Sequence, residues 1–313
     1  MRRALLFLLA STSLAAQSPE QLFADRKFAE AKVAFHARLK ANPNDAAAMY
    51  HLGRIADAEN RNSEATDWFE RAVKREPGSA LYHFWLGSAV GEEAQTASKI
   101  RQPFLARKVK AEFERAVALD PKMVEPRMGL VDFYSIAPGV MGGSMDKARE
   151  QASELVKLHP MRGHLAFARI AMRQKNDSAA ILAHEAAIAA APDSTPAYYA
   201  LGSLLRSRNR FADALRVYDR LLERRGDEVV AHALYGIVSA LGGIEMERGE
   251  RELRYFLANA PKETTTAQSY SNVHYRLGMI YDKTGRPEQA QKEYAEAVKW
   301  NPKNEDASRA LKR

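Results

Sequence analysis

The stretch from Ala46 to Pro77 most strongly limits what this chain can fold into. Small and apolar residues recur there every three or four positions in two runs: Met49, Leu52, Gly53 and Ala56, then Ala65, Phe69, Ala72 and Val73. This spacing places each run on one face of an α-helix. The polar residues 59–63 predict a turn between the runs, and Pro77 with Gly78 predicts the end of the second helix. The sequence therefore predicts a hairpin of two short amphipathic helices.

Part of this stretch follows the pattern of a known family, at Met49, Leu52, Gly53, Ala65, Phe69, Ala72 and Pro77. In order, these are a large residue, a Leu-Gly pair, the alanine that opens the second helix, an aromatic residue, another alanine and a closing proline. The stretch resembles a tetratricopeptide repeat (TPR), which implies two closely packed helices. We expect the small residues Gly53 and Ala65 to face each other across the hairpin.

The same pattern recurs along the chain, and Phe69–Val73 reappears letter for letter as Phe113–Val117. The predicted repeats are 17–43 (partial), 46–77, 80–121, 124–160, 161–192, 195–226, 229–261 and 266–302, followed by a capping helix at 304–313. Each repeat can bury its apolar face only against its neighbours. No strand-like alternation competes with the helical period. The sequence therefore predicts an all-α fold, a single right-handed α-solenoid of stacked TPR hairpins over 17–313.

Two segments depart from the repeat length. Extra residues centred on Gly91 to Arg107 must lengthen both helices of the third repeat or form a protruding elbow. The turn from Ala137 to Gly143 is expanded, and Ser144 is placed to cap the helix that follows it. The sequence does not fix the role of either segment.

The first 16 residues predict a signal peptide. Met1-Arg2-Arg3 is basic, residues 4–10 form a short apolar run, and residues 11–16 offer small residues for cleavage. We expect export of the chain, to the periplasm of a Gram-negative bacterium or out of the cell, as in exported bacterial TPR proteins. No later stretch is long and apolar enough to predict a transmembrane helix in the mature chain.

Composition and charge argue against several classes of function. The chain has no cysteine, so disulfide and thiolate chemistry are excluded. Its formal charge of +8 comes from lysines and arginines interspersed with acids, which does not predict nucleic-acid binding. Recurring histidines occupy one position of different repeats, at His83, His164, His232 and His274, so no metal site is expected. No catalytic grouping can be recognised. We predict a protein that is not an enzyme and needs no cofactor.

The TPR resemblance implies a concave groove lined by the first helix of each repeat. The groove positions on this sequence carry Tyr50, Arg54, Phe84, Asp132, Arg169, Tyr199, Arg206 and Tyr275. Aromatic rings interleaved with arginines suit an extended peptide bearing carboxylates. The alternative for any one of these aromatics is simple packing between helices. The chaperone-tail clamp of some TPR proteins needs Lys and Asn where Tyr50 and Arg54 stand, so that clamp is absent.

These features predict a non-catalytic protein-interaction scaffold of the cell envelope that holds a protein or peptide in its groove. The alternative is a carrier of an amphiphilic ligand such as a lipid. The sequence identifies neither the partner nor the oligomeric state.

Overall fold

A computed structural model describes residues 17–312. These residues form α-helices joined by short turns, with one 3-10 turn and no β-strand among them. The predicted signal peptide, residues 1–16, lies outside the described residues, as does Arg313 of the predicted capping helix.

The chain divides into two compact units on either side of Gln151, and each is described by itself. The first unit, from residue 17, contains α1 (Pro19–Ala24), α2 (Phe28–Ala41), α3 (Ala46–Ala58), α4 (Asn62–Arg75), α5 (Ala80–Thr96), α6 (Gln102–Leu119), α7 (Val124–Ile136) and the 3-10 turn Gly139–Met141. The boundary itself falls inside α8 (Met145–Leu158).

The second unit continues to residue 312. It contains α9 (Pro160–Arg173), α10 (Asp177–Ala190), α11 (Thr195–Ser207), α12 (Phe211–Arg224), α13 (Val229–Gly242), α14 (Met246–Asn259), α15 (Ala267–Lys283), α16 (Pro287–Trp300) and α17 (Glu305–Leu311).

Within each unit, consecutive helices pack as hairpins that also pack on the next hairpin. In the first unit α3 packs on α4, α4 on α5 and α5 on α6; in the second, α11 packs on α12 and α12 on α13. The cores are built from their apolar faces, with Phe35, Leu52 and Phe69 buried in one unit and Leu201 and Tyr235 in the other. The predicted all-α fold of stacked helical hairpins is confirmed. The prediction of one solenoid over 17–313 stays a prediction.

Glycines in the first helices make room for aromatic rings of the second helices. The nearest atoms that a Cβ on Gly53 would meet all belong to the Phe69 ring, at 2.6–2.9 Å. Gly202 lies in the same way against Tyr218, at 2.4–2.7 Å. The expected contact between Gly53 and Ala65 stays a prediction, and a helical side chain leans toward the N-terminus of its helix. The Phe69 ring therefore covers the turn nearer Ala65 and takes the space beside the glycine.

Short polar residues start several helices. The Asp45 side chain accepts a hydrogen bond from the Ala48 N–H (2.8 Å) at the start of α3, and Asn176 does the same for Ala179 N–H (3.0 Å) at α10. Turns inside the hairpins use left-handed residues, with φ of 58° at Asn60. Asparagine tolerates this conformation better than most residues do, so the turn sequence fits the turn geometry.

The long insertion both extends its helices and forms an elbow. α5 has 17 residues and α6 has 18, and residues 97–101 connect them. After the expanded turn, Ser144 accepts a hydrogen bond from Lys147 N–H (3.3 Å) and caps α8 as expected. In the described part of the chain, every helix is too short or too polar to cross a membrane.

Candidate functional site

Arg54 is the centre of an arginine–aromatic cluster in the first unit, which we define as Phe23, Tyr50, Arg54 and Trp85. α3 places Tyr50 and Arg54 one turn apart, and Arg54 Nη1 donates a hydrogen bond to Tyr50 Oη (2.8 Å). The guanidinium carbon lies 3.7 Å from the ring centroid of Trp85 on α5 and 5.6 Å from that of Phe23 on α1. The three rings therefore hold the cation in one orientation.

Aromatic contacts extend the cluster along neighbouring helices. Tyr50 stacks on Tyr82 with ring centroids 5.3 Å apart, and Phe84 meets Trp85 edge to face at 5.3 Å. Trp85 also stacks on the buried Phe69 at 6.0 Å. Tyr50, Arg54, Phe84 and Trp85 are only half-buried, so part of each side chain remains open to a ligand.

The cation of Arg54 has unused donors. Its Nε is buried without a hydrogen-bond partner, and in the first unit as described no carboxylate forms an ion pair with it. Asp57 lies on the same helix. Burial raises the pKa of its carboxyl, although the positive charge of Arg54 acts to lower it. An incoming carboxylate would satisfy the guanidinium better than the protein does, because a charge-assisted hydrogen bond is strong where water is partly excluded.

The rings of His51 and Phe35 lie next to the cluster, because His51 contacts both Phe23 and Tyr50. The His51 ring stacks on Phe35 with centroids 4.7 Å apart and planes 4° from parallel, and its Nδ1 is buried without a partner. Burial lowers the pKa of His51, which favours the neutral ring beside Arg54. The cluster therefore offers one cation on an aromatic surface.

The second unit has its own tyrosines and arginines at groove positions. Arg276 on α15 lies 5.0 Å from the ring centroid of Tyr275, and burial lowers its pKa, helped by the charge of Arg206. Tyr275 and Asp306 act in the opposite direction, to raise the pKa of Arg276. The Nε of Arg276 has no hydrogen-bond partner. Burial also raises the pKa of Tyr199, and the nearby carboxylate of Glu228 raises it further. The Tyr199 hydroxyl is buried and makes no hydrogen bond of ordinary geometry.

The predicted groove residues are thus distributed over both units. The first unit holds Tyr50, Arg54, Phe84 and Asp132; the second holds Arg169, Tyr199, Arg206 and Tyr275. Tyr50 and Arg54 touch directly, and Phe84 joins them through Trp85. Asp132 is half-buried on α7 and Arg169 is exposed on α9, and each has interactions of its own. The assignment of these residues to one continuous groove stays a prediction.

Sequence reasoning missed Trp85, Phe23 and Arg276. Trp85 and Arg276 each follow a predicted groove residue directly, on α5 and α15. A mapping that takes single positions of each repeat passes over such neighbours, although large side chains reach well to either side of their own position. Phe23 belongs to the incomplete first repeat, where no pattern assigned it a position.

Three of the four recurring histidines, His83, His232 and His274, each pair with a carboxylate within their own hairpin. His83 Nδ1 lies 2.5 Å from Glu112 and His274 Nδ1 lies 2.6 Å from Glu293, while His232 pairs with Glu252 in the same way. Each carboxylate comes from the second helix of the same hairpin. Among the described residues, no group of three or more His, Asp or Glu side chains could hold a metal ion.

Three sequence profiles of the family described as "Tetratricopeptide repeat" match this chain, at residues 21–80, 197–228 and 271–304. Among curated proteins, no sequence matches it.

Several solved structures of TPR proteins are similar to this chain, and yeast Tom70 shares its fold. Yeast Tom70 superposes with a TM-score of 0.61 and 14% sequence identity, covering 92% of this chain and 58% of the Tom70 chain. TTC0263, a thermophilic TPR protein of Thermus thermophilus, gives 0.49 and 20%, covering 60% and 95%. YrrB, a TPR protein with an unusual peptide-binding site, gives 0.46 and 17%, covering 64% and 98%.

Proposed function

The chain belongs to the tetratricopeptide repeat superfamily, and on that premise we propose that it is a non-catalytic scaffold that binds an extended, carboxylate-bearing peptide segment of a protein partner. TPR domains in general serve as protein-interaction scaffolds. The segment would lie along the first helices, with Arg54 as its main anchor in the first unit.

The orientation of Arg54 carries this proposal. A guanidinium held 3.7 Å from the Trp85 ring centroid and hydrogen-bonded to Tyr50 is already ordered before a ligand arrives. Binding therefore loses little side-chain entropy, which is the main cost of using a long flexible arginine. The neighbouring rings of Tyr50 and Phe84 supply apolar surface for side chains that flank the carboxylate.

The second unit supports the same chemistry. The charge of Arg206 acts to lower the pKa of Arg276, while Tyr275 and Asp306 act to raise it. A segment with acidic residues would add a counter-charge here while its apolar residues contact Tyr275. We therefore expect acidic peptides to be preferred over neutral ones at both units.

We place the scaffold outside the cytoplasm, in the cell envelope or secreted. The basic, apolar and small-residue order of residues 1–16 supports this location. Determination of the N-terminus of the protein purified from its source cells tests it, since export with cleavage would leave a chain that begins near Gln17.

A peptide selection tests the binding proposal. Random peptides displayed on phage are selected on the full chain, and the affinities of the enriched peptides are measured for Arg54→Gln. The matched control is Arg71→Gln, because Arg71 also stacks on a tryptophan, 4.1 Å from the ring centroid of Trp68, but on α4 outside the cluster. We expect enrichment of Asp and Glu, and a loss of about tenfold or more for Arg54→Gln only.

Equal losses for both variants, or enrichment of neutral peptides, would contradict the proposed site. Organic extraction of the purified chain addresses the alternative function, since a bound lipid at stoichiometric amount would favour the amphiphile carrier.

A further inference from the structure

The insertion between α5 and α6 carries a basic elbow, which we define as residues 97–111. Its positive side chains are Lys99, Arg101, Arg107, Lys108 and Lys110, and it contains no Asp or Glu. The repeat pattern does not require residues 97–107, because they lie in the segment that exceeds the repeat length. The elbow therefore adds a surface that the peptide-binding proposal does not use.

Two large apolar side chains project from this basic surface. Ile100 is 81% exposed and Phe104 is 68% exposed, although residues of these types are usually buried. Phe104 lies in the first turn of α6, one turn before Arg107. Phe104 and Arg107 lie three positions apart on α6, so an exposed apolar and an exposed basic side chain share one face of the helix.

The expanded turn of the same unit adds a third apolar side chain. Val140 is 90% exposed, and its turn packs beside α6 in an open cleft lined by Arg107, Lys110 and Met141. The expanded turn thus lies beside Arg107 and Lys110 at the end of the basic elbow, and Glu114 lines the same cleft.

Nearby acidic side chains neutralise only part of the positive charge of the elbow. Glu93 pairs with Arg101 (2.7 Å), Glu114 with Lys110 (3.7 Å) and Glu70 with Lys108. Among the described residues of this unit, no ion pair involves the exposed Lys99 or Arg107. Exposed ion pairs of this kind contribute little and exchange readily for another anion.

We propose that the basic elbow, together with Val140, docks the protein on an anionic phospholipid surface. Ile100, Phe104 and Val140 would enter the boundary between head groups and acyl chains, while the cations contact lipid phosphates. Each of these apolar side chains is more than two-thirds exposed, and Val140 lines only an open cleft. A fluid interface can close around such separate side chains, whereas a folded partner needs contiguous complementary area.

Vesicle sedimentation with the full chain tests this proposal. We expect binding to mixed phosphatidylcholine–phosphatidylglycerol vesicles, weak binding to phosphatidylcholine alone, and release by added salt. The double variant Ile100→Ser/Phe104→Ser should weaken binding about tenfold or more. Its matched control is Val33→Ser/Leu182→Ser, which removes side chains that are 72% and 71% exposed elsewhere.

The charge contribution has its own pair of variants. Lys99→Gln/Arg107→Gln should weaken binding about fivefold per charge removed. The control Arg173→Gln/Lys262→Gln changes two exposed cations of the second unit. All chains carry the same residues 1–16, so differences between them report on the elbow.

Wild-type vesicle binding by both elbow variants, or equal losses in the controls, would overturn the proposal. Elbow-dependent retention on a poly-glutamate resin without vesicle binding would reject the membrane in favour of an acidic protein partner. Arg54→Gln should leave vesicle binding unchanged, which separates this surface from the peptide site.

Discussion

Replacement of Gly53 by alanine tests whether the first helix of a hairpin is held against the aromatic ring of the second. The added Cβ would lie 2.6, 2.8 and 2.9 Å from three atoms of the Phe69 ring, against an ordinary contact of 3.4–4 Å. The ring would have to move by about 1 Å. It has little room to do so, because Phe69 is fully buried and stacks on Trp85.

Two opposing contributions set the expected change in stability. Overpacking of a buried site costs about 2–3 kcal/mol when several atoms overlap. Alanine in a helix interior is about 1 kcal/mol more favourable than glycine. The free energy of unfolding of Gly53→Ala should therefore fall by about 1–2 kcal/mol. Since Phe69 supports Trp85, the Trp emission spectrum should shift as well.

Urea denaturation followed by circular dichroism measures the effect. Gly78→Ala is the control, because no atom lies within 4 Å of its added Cβ, and it should keep or slightly raise the stability. In a Phe69→Leu background the overlap is relieved, so Gly53→Ala should cost little there. Unchanged stability of Gly53→Ala, or the same cost in both backgrounds, would refute the reasoning.

Three further predictions concern single polar groups. Burial lowers the pKa of His184, so its contribution to stability is complete above the ordinary value of about 6.5 and is lost as pH falls through the folded-state pKa. His184→Leu should therefore reduce the pH dependence of the free energy of unfolding in that range. Burial alone would raise the pKa of Glu250, but hydrogen bonds from Tyr281 and two arginines lower it; stability should fall as pH drops below about 4.3, and less so in Glu250→Gln. Ser271 donates to a carbonyl of α16 (2.8 Å) and accepts from Asn304 (2.9 Å) at the start of α17; Ser271→Ala should cost about 1–3 kcal/mol and speed amide exchange in α17.

Most of the fold could be predicted because its determinants are local. Apolar spacing, helix caps and closing prolines each act within a few residues, and the repeated pattern lets weak signals support one another. The close approach at Gly53 was also predictable, but the part of the Phe69 ring in it was not. Phe69 follows the family pattern, and only the direction in which a helical side chain leans brings its ring beside the glycine.

The candidate site was predictable only in part because it depends on contacts between hairpins. Tyr50 and Arg54 could be assigned from their positions in one repeat. The position of Trp85 relative to Arg54 depends on how α3 and α5 pack, and no spacing in the sequence states that distance. The exposure of Ile100 and Phe104 could not be predicted from the sequence either. An apolar residue in an insertion can be buried or can project into solvent, and the sequence does not distinguish the two.

Hairpin packing and binding chemistry are coupled through Trp85. Phe69 occupies a position that the repeat pattern demands, and it stacks on Trp85, which in turn holds the guanidinium of Arg54. A change at the packing contact with Gly53 should therefore reach the groove through two ring contacts, without touching a groove residue. In contrast, Ile100 and Phe104 of the basic elbow are exposed to solvent, so these side chains can be substituted without disturbing the packing of a hairpin. The two proposed surfaces should thus respond differently to mutation: the first through stability and binding together, the second through binding alone.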